Sequence, residues 1–160
     1  MGVLVLLLKS SRLGEIEIDD KQVIDFPDGI PGFESEKKFA IFSLAPDAPF
    51  YYMHSVQSPD LCLVLAVPFM FFPDYAVDLP QEELGKLAAE EDAKGLAVFV
   101  VLTIPDDFRD TTANLLAPVV VNLDKQKGVQ YVPVQSPYST RHRLFNPQEP
   151  KKAASAGQGL

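Results

Sequence analysis

Residues 14–33 read GEIEIDDKQVIDFPDGIPGF, and this stretch decides the fold class. Apolar and acidic residues alternate from Glu15 to Ile18, the period-two pattern of a strand with one solvent-facing side. Asp19-Asp20 marks a turn, and the chain becomes apolar again at 23–26. Two Pro/Gly turn signals then follow within six residues, 27–32, around Ile30. We predict short strands joined by a well-ordered loop, because proline fixes φ and apolar residues flank the glycines.

Short apolar segments separated by turn residues continue on both sides of this stretch. Fourteen prolines in 160 residues argue against long helices and favour short strands with firm turns. One helix is predicted, from Pro80 to Ala89, since proline suits a first helical turn and Gln81-Glu82-Glu83 suits its positive end. Gly95 introduces a strong strand at 96–104. The other predicted strands are 3–8, 13–18, 23–26, 39–44, 50–56, 61–67, 113–122 (kinked or at an edge, with Pro118 inside) and 128–134.

About nine short strands without a β-α-β alternation predict an all-β fold, mainly antiparallel. We expect a compact, β-barrel-like single domain over residues 1–147 with one short helix. Residues 148–160 contain almost nothing to bury, and we predict a disordered C-terminal tail. The apolar run Val3–Leu8 is too short for a signal peptide or a membrane helix, so it is interpreted as a first strand.

Composition narrows the function classes. The net charge of −8 disfavours direct binding to nucleic acid or to an anionic membrane, and a basic protein is the natural complement. Cys62 is the single cysteine, which suits a reducing compartment, and we expect a cytoplasmic protein. The negative charge is concentrated in two segments, 14–36 with eight acidic residues against Lys21, and 74–92 with seven against Lys86.

Motifs for chemistry are scarce. The sequence has no CxxC, HExxH, EF-hand or phosphate-loop pattern, so we predict no metal site and no cofactor. His54 is expected at the surface or the core edge. One alternative is a small hydrolase or ligand-binding barrel that uses the cluster Ser139, Arg141 and His142. Another is a structural subunit that oligomerises through the aromatic segment 68–75. We favour a binding protein without catalysis.

Six strings occur in an order that resembles the bacterial flagellar assembly factor FliW family, over about residues 13–142. They are Gly14–Ile18, Ile24–Phe33, Ser58–Leu61, Pro68–Tyr75, Asn114–Pro118 with Asn122, and Tyr138–His142. The resemblance implies a β-barrel-like fold, no enzyme activity and two protein partners. One partner is flagellin, held in the cytoplasm before export. The other is the translational regulator CsrA, a basic RNA-binding dimer whose repression of target messages the factor antagonises.

The acidic segments supply candidate residues for such a partner surface. We expect Glu15, Glu17 and Asp19 to provide charge, and Phe33, Phe71 and Tyr75 to act as apolar anchors. The competing interpretation is that Phe71 and Tyr75 are core residues, since most large aromatic side chains are buried in the protein interior. Charge mimicry and a remote, allosteric contact both stay open as ways of disturbing the regulator, and we favour the second.

Overall fold

A computed structural model describes residues 4–89 and 95–145, in which short strands dominate. The strands are β1 (Val5–Ser10), β2 (Gly14–Asp19), β3 (Val23–Asp25), β4 (Lys38–Ser43), β5 (Phe50–Ser55), β6 (Cys62–Ala66), β7 (Leu96–Thr103), β8 (Thr112–Ala113), β9 (Val119–Asn122), β10 (Lys127–Gln130) and β11 (His142–Arg143). The single α-helix in these ranges is α1 (Gln81–Lys86). Single-turn 3-10 helices lie at Asp20–Gln22, Pro68–Met70 and Phe108–Asp110. The predicted all-β fold is confirmed.

Seven strands close into a barrel. The hydrogen-bonded order runs β7-β6-β5-β4-β3-β10-β9 and returns to β7, which pairs with β9 through Leu96–Phe99. All of these pairings are antiparallel except that of β10 with β3, at Lys127 and Asp25. The predicted hairpin across the Ser58–Asp60 turn is β5 with β6. Closure removes the exposed edges that an open sheet of this size would carry.

Large apolar side chains fill the barrel interior. Phe26 and Phe39 meet edge to face, with ring centroids 5.4 Å apart. Gly128 lies beside this pair, and a Cβ atom there would come within 2.6 Å of the Phe26 ring. The interior cluster is completed by Ile24, Ile30, Ile41, Met53, Leu65, Phe99, Val119 and Val121. Ile30 is buried, so its side chain anchors the largely exposed loop at 27–32 in the core.

Three layers cover the outside of the barrel. The β1–β2 hairpin, a separate two-stranded sheet, packs Leu8 and Ile18 against Ala40. The aromatic segment 68–77 and the C-terminal residues Tyr138, Leu144 and Phe145 pack over β6 and β7. Helix α1 and the residues after it place Leu87 and Ala89 over β9 and β10. The outer barrel face is therefore buried as well, which explains why the strands read as nearly continuous apolar runs.

Several predicted elements differ in extent, among them the predicted strand 128–134, which ends at Gln130. The predicted strand 113–122 is two strands, β8 and β9, which pair with successive parts of the same edge of β7. A turn separates them, in which the Asn114 side chain accepts from the Ala117 amide, and Pro118 has no amide hydrogen to continue the ladder. The predicted helix 80–89 is shorter, because Pro80 caps it and Ala88 adopts a positive φ of 55°. The pairing of β11 with β8 was not predicted.

Two predictions lie outside the described residues. The C-terminal tail 148–160 is one of them. The other is the acidic run Glu90, Glu91 and Asp92 of the second acidic segment.

Candidate partner-binding surface

The three acidic candidates of β2 lie in one row on the outside of the molecule. Glu15 and Glu17 are exposed and Asp19 is half-buried, while Ile18 between them is buried against the barrel. This alternation follows from the pleat, which turns successive side chains to opposite faces. The acidic side of β2 therefore faces solvent, as the alternation in the sequence predicts.

Strand β1 adds a second row to the same face. In the antiparallel register Val5 lies opposite Asp19, Leu7 opposite Glu17 and Lys9 opposite Glu15. Val5 and Leu7 are 57% and 56% exposed, although both are large and apolar. We call these six residues (Val5, Leu7, Lys9, Glu15, Glu17 and Asp19) the hairpin outer face. It combines an apolar row with an acidic row. Protein interaction surfaces commonly combine apolar anchor residues with neighbouring charges in this way.

Contacts at both ends hold the hairpin on the barrel. At its tip, the Ser11 amide donates to the Pro59 carbonyl oxygen at 2.9 Å, and the Ser11 hydroxyl donates to the Asp60 carboxylate. At its base, the Gln126 side-chain amide donates to the carbonyl oxygens of Asp20 and Val23, at 2.9 and 2.8 Å. The outer face is therefore presented on a docked element rather than on a loose arm.

Lysines neutralise other carboxylates of the first acidic segment. Asp25 meets Lys127 at 2.9 Å, and Asp28 meets Lys86 at 2.9 Å. The hydrogen bond from Lys127 is the largest influence on the pKa of Asp25 and lowers it. By contrast, no ion pair among the described residues involves Glu15, Glu17 or Asp19. Glu15, Glu17 and Asp19 thus belong, with Asp20, Glu34 and Glu36, to the carboxylates of this segment that form no ion pair with a described residue.

Of the predicted apolar anchors, Phe71 and Tyr75 belong to one hydrophobic cluster, whereas Phe33 is not part of it. Phe33 is 45% exposed and ends the ordered loop, where its amide donates to the Ile30 carbonyl oxygen at 2.8 Å. Phe71 is half-buried between Phe50 and Phe145, with centroids 5.8 and 6.3 Å away. Phe33 is thus open to a partner and Phe71 is open in part.

Tyr75 corrects the expectation of an exposed anchor. It is only 6% exposed and its ring packs edge-on against Tyr138. Its hydroxyl donates a hydrogen bond to the Leu115 carbonyl oxygen. The competing interpretation of Tyr75 as core was the right one, because the turn after Pro73 folds the ring back onto β7 and the 113–117 turn. Burial raises the pKa of the Tyr75 hydroxyl.

His54, expected at the surface or the core edge, is fully buried on β5. Its Nδ1 lies 2.8 Å from the Ser55 carbonyl oxygen, and its Nε2 has no hydrogen-bond partner among the described residues. Its neighbours across the sheet are Ala40 and Cys62. Two-sided coverage of the barrel wall buries this position, which a local pattern of residues could not reveal.

The Ser139, Arg141 and His142 cluster lacks the arrangement of a catalytic pair. The Nε2 atom of His142 accepts from the Ser139 main-chain amide at 2.9 Å, and the ring packs between Phe72 and Tyr138. The Ser139 hydroxyl accepts from the Arg141 amide at 3.4 Å. A groove of about 280 Å³ lies nearby, but none of the three residues lines it. These contacts close a turn, so they give the hydrolase alternative no support.

Val5 and Leu7 are the surface residues that the sequence analysis missed. The run 3–8 is apolar throughout and conceals the alternation that β2 displays openly. The signal lies in the pairing: an antiparallel strand joined to β2 by a short turn must also place every second side chain outward.

Within residues 4–89 and 95–145, no group of three or more His, Cys, Asp or Glu residues could hold a metal ion. None of the helices there has the length and apolar character needed to cross a membrane.

Comparison with known proteins gives consistent results. A family model described as FliW protein matches residues 7–144. The flagellar assembly factor FliW of Syntrophomonas wolfei is 44% identical over 153 residues, which cover 94% of this chain and 97% of the relative. The factor of the same name from Geobacillus thermodenitrificans is also 44% identical, over 88% of this chain and 94% of the relative.

A solved structure agrees with the family model and with these two relatives. A crystal structure of the flagellar assembly factor FliW superposes with a TM-score of 0.81 at 40% identity, covering 88% of this chain and 98% of that one. The seven-stranded barrel with its docked hairpin, and these relatives over nearly the full length, establish that the chain belongs to the FliW family of flagellar assembly factors.

Proposed function

We propose that this chain acts in the cytoplasm without catalysis, by binding the translational regulator CsrA and, separately, flagellin before its export. Binding of the chain to the regulator relieves repression of target messages. Flagellin competes for the chain, so flagellin synthesis follows filament assembly. Membership of the FliW family carries this proposal.

The hairpin outer face supports the regulator contact. Glu15, Glu17 and Asp19 form an acidic row without ion pairs among the described residues, and a basic RNA-binding protein is the complementary partner. The contact of Ser11 with Pro59 and the Gln126 bonds hold this row in place before binding, which lowers the entropic cost of association.

Calorimetry with the purified full chain and purified CsrA tests the contact. We expect binding at low salt that weakens steadily as salt rises, because a Debye length of about 10 Å at 0.1 M screens exposed charges. The double variant Glu15→Lys with Glu17→Lys should lose at least tenfold in affinity. A matched control carries Asp106→Lys with Asp124→Lys, which changes net charge equally on exposed residues outside both acidic segments.

Equal losses in the two double variants would show that only net charge matters and would remove the hairpin from the contact. Absence of binding to CsrA at low salt would remove the regulator from the proposal. For flagellin, we expect its addition to a preformed complex to release the regulator in proportion to its concentration. Undiminished complex at excess flagellin would contradict the competition.

A further inference from the structure

The outward edge of β1 carries main-chain groups that have no hydrogen-bond partner among residues 4–89 and 95–145. The Asp20 amide donates to the Leu4 carbonyl oxygen at 2.9 Å, which fixes the alternation of the β1–β2 ladder. In an antiparallel pair every second residue bonds across, so the main chains of Val5, Leu7 and Lys9 point away from β2. Among hydrogen bonds between described residues, none reaches these three main chains.

An open edge of this kind is unusual when it is also apolar. Proteins normally shield such edges with charges, proline or a covering loop, since a bare strand edge pairs with other chains. Here Lys9 is the one charge on the outward side of β1, and Val5 and Leu7 are more than half exposed. The edge therefore has the properties of a site for strand addition.

The acidic row determines what kind of strand fits. Neighbouring strands lie about 4.8 Å apart, so a strand added beside β1 would lie about 10 Å from β2. A lysine or arginine on the outer side of that strand can lay its apolar stem over Val5 or Leu7 and reach the carboxylates beyond. Leu7 lies directly opposite Glu17, and Val5 lies opposite Asp19. The apolar stem of such a cation would therefore contact Leu7 or Val5, and its charge would meet the carboxylate behind that residue.

We propose that β1 accepts an extended segment of a basic protein as an additional strand, with Lys or Arg at alternate positions over Val5 and Leu7. The main chain of the segment bonds to the free edge, and its cations meet Glu17 and Asp19. A second copy of this chain fits less well, since it would bring another apolar row and only Lys9 as a cation. Assignment of the segment to CsrA rests on the proposed function.

A peptide tests the edge directly. The probe is a ten-residue peptide alternating lysine and valine, added to the full-length chain while amide exchange is followed by NMR. We expect slower exchange at the amides of Val5, Leu7 and Lys9. A peptide of the same composition with five lysines followed by five valines, and an alternating peptide N-methylated at every second residue, should leave these amides unprotected. Equal protection by the block peptide, or none by the alternating one, would overturn the proposal.

Proline at an outward-facing position gives the matched variants. Leu7→Pro removes an outward amide hydrogen and no bond to β2, and proline is tolerated at edge positions of this kind. Leu7→Ala removes the same side chain and keeps the amide. We expect CsrA affinity to fall a few-fold for Leu7→Ala and at least tenfold further for Leu7→Pro. Preserved amide protection at Leu8 and Ile18 verifies that the hairpin stays folded. Equal affinities of the two variants would exclude the main-chain edge from the contact.

The outcomes separate this inference from the proposed function. Regulator binding without protection of the β1 amides would refute the strand addition and leave the function standing. Protection by the alternating peptide without any regulator binding would refute the function and leave the edge as a strand acceptor. Light scattering that gives a dimer abolished by Leu7→Pro would replace the basic segment with a second copy and overturn the proposal.

Discussion

Tyr75 donates its phenolic hydrogen to the main-chain carbonyl oxygen of Leu115, at 2.7 Å between the two oxygens. Both residues are buried, and they lie forty positions apart in the sequence. The bond ties the aromatic segment to the turn between β8 and β9, where the ladder along β7 is interrupted. A polar contact therefore joins the outer aromatic layer to the barrel at this interruption.

Replacing Tyr75 with phenylalanine tests this bond. Loss of the hydroxyl leaves the buried Leu115 oxygen without its partner, so we expect the free energy of unfolding to fall by about 1–2 kcal/mol. Urea unfolding measures it. The matched control is Tyr138→Phe, whose hydroxyl accepts at 3.3 Å from the amide of exposed Ala76, a group that water can satisfy instead. Equal losses in the two variants would contradict the assigned role.

Gly29 and Gly32 form a second matched pair. Both have positive φ, 67° and 88°, but a Cβ atom on Gly29 would lie 2.5 Å from the Glu34 carbonyl oxygen, whereas Gly32 faces open space. We expect Gly32→Ala to cost about 1 kcal/mol of stability from backbone strain alone. Gly29→Ala should cost clearly more, because a main-chain group must move. Denaturant midpoints compare them, and a smaller loss for Gly29→Ala would be inconsistent with this loop geometry.

Glu36 makes stability depend on pH in the acid range. Hydrogen bonds from the hydroxyls of Ser55 and Ser58 lower the pKa of this carboxyl below its ordinary value of 4.5. A lowered folded-state pKa stabilises the protein above that ordinary value, and the contribution is lost as pH falls through the folded-state pKa. Glu36→Gln should therefore be less stable than the parent at pH 7, with the difference shrinking below pH 4.5.

Urea unfolding at several pH values measures this difference. Glu17→Gln, on an exposed position of β2, serves as the control and should show little change in stability between neutral and acid pH. A constant deficit of Glu36→Gln from neutral to acid pH would mean that the charge on Glu36 is not what the serines stabilise.

Gln126 joins the base of the hairpin to the barrel, which leads to a prediction about dynamics. Its side chain donates to the carbonyl oxygens of Asp20, the first residue of the 3-10 turn between β2 and β3, and of Val23, the residue directly after that turn. Gln126→Ala should lower the free energy of unfolding by about 1–2 kcal/mol and speed amide exchange in β1 and β2. Gln130→Ala, which removes a single bond to Ala117, should leave exchange in the hairpin unchanged. Unaltered hairpin exchange in Gln126→Ala would show that other contacts fix the element.

Much of the fold was accessible from the sequence, because its signals are local. The alternation in 14–18 identified β2 and its solvent-facing acids, and the Pro/Gly pairs at 27–32 identified an ordered loop. Boundaries failed where a non-local contact decided them. Residues 113–122 read as one strand, yet the turn at Asn114–Ala117 divides it between two sections of β7.

The candidate surface was accessible only in part. Glu15, Glu17 and Asp19 could be placed on one side of a strand, but Tyr75 was misjudged as a possible anchor because exposure of a ring depends on what packs over it. The importance of Val5 and Leu7 was invisible in a uniformly apolar run. Their exposure follows from the pairing of β1 with a strand whose other side already faces the barrel.

By itself the sequence determined the strand-rich class, the turn positions and the family resemblance, since each depends on neighbouring residues or on ordered strings of them. Tertiary structure decided how the barrel closes, through Lys127 beside Asp25, and which carboxylates keep their charge uncompensated. Asp25 and Lys127 lie 102 positions apart, and only folding brings residues so distant in the sequence together. The free edge of β1 belongs to the same class, because a strand is an edge only relative to the strands that other segments do or do not supply.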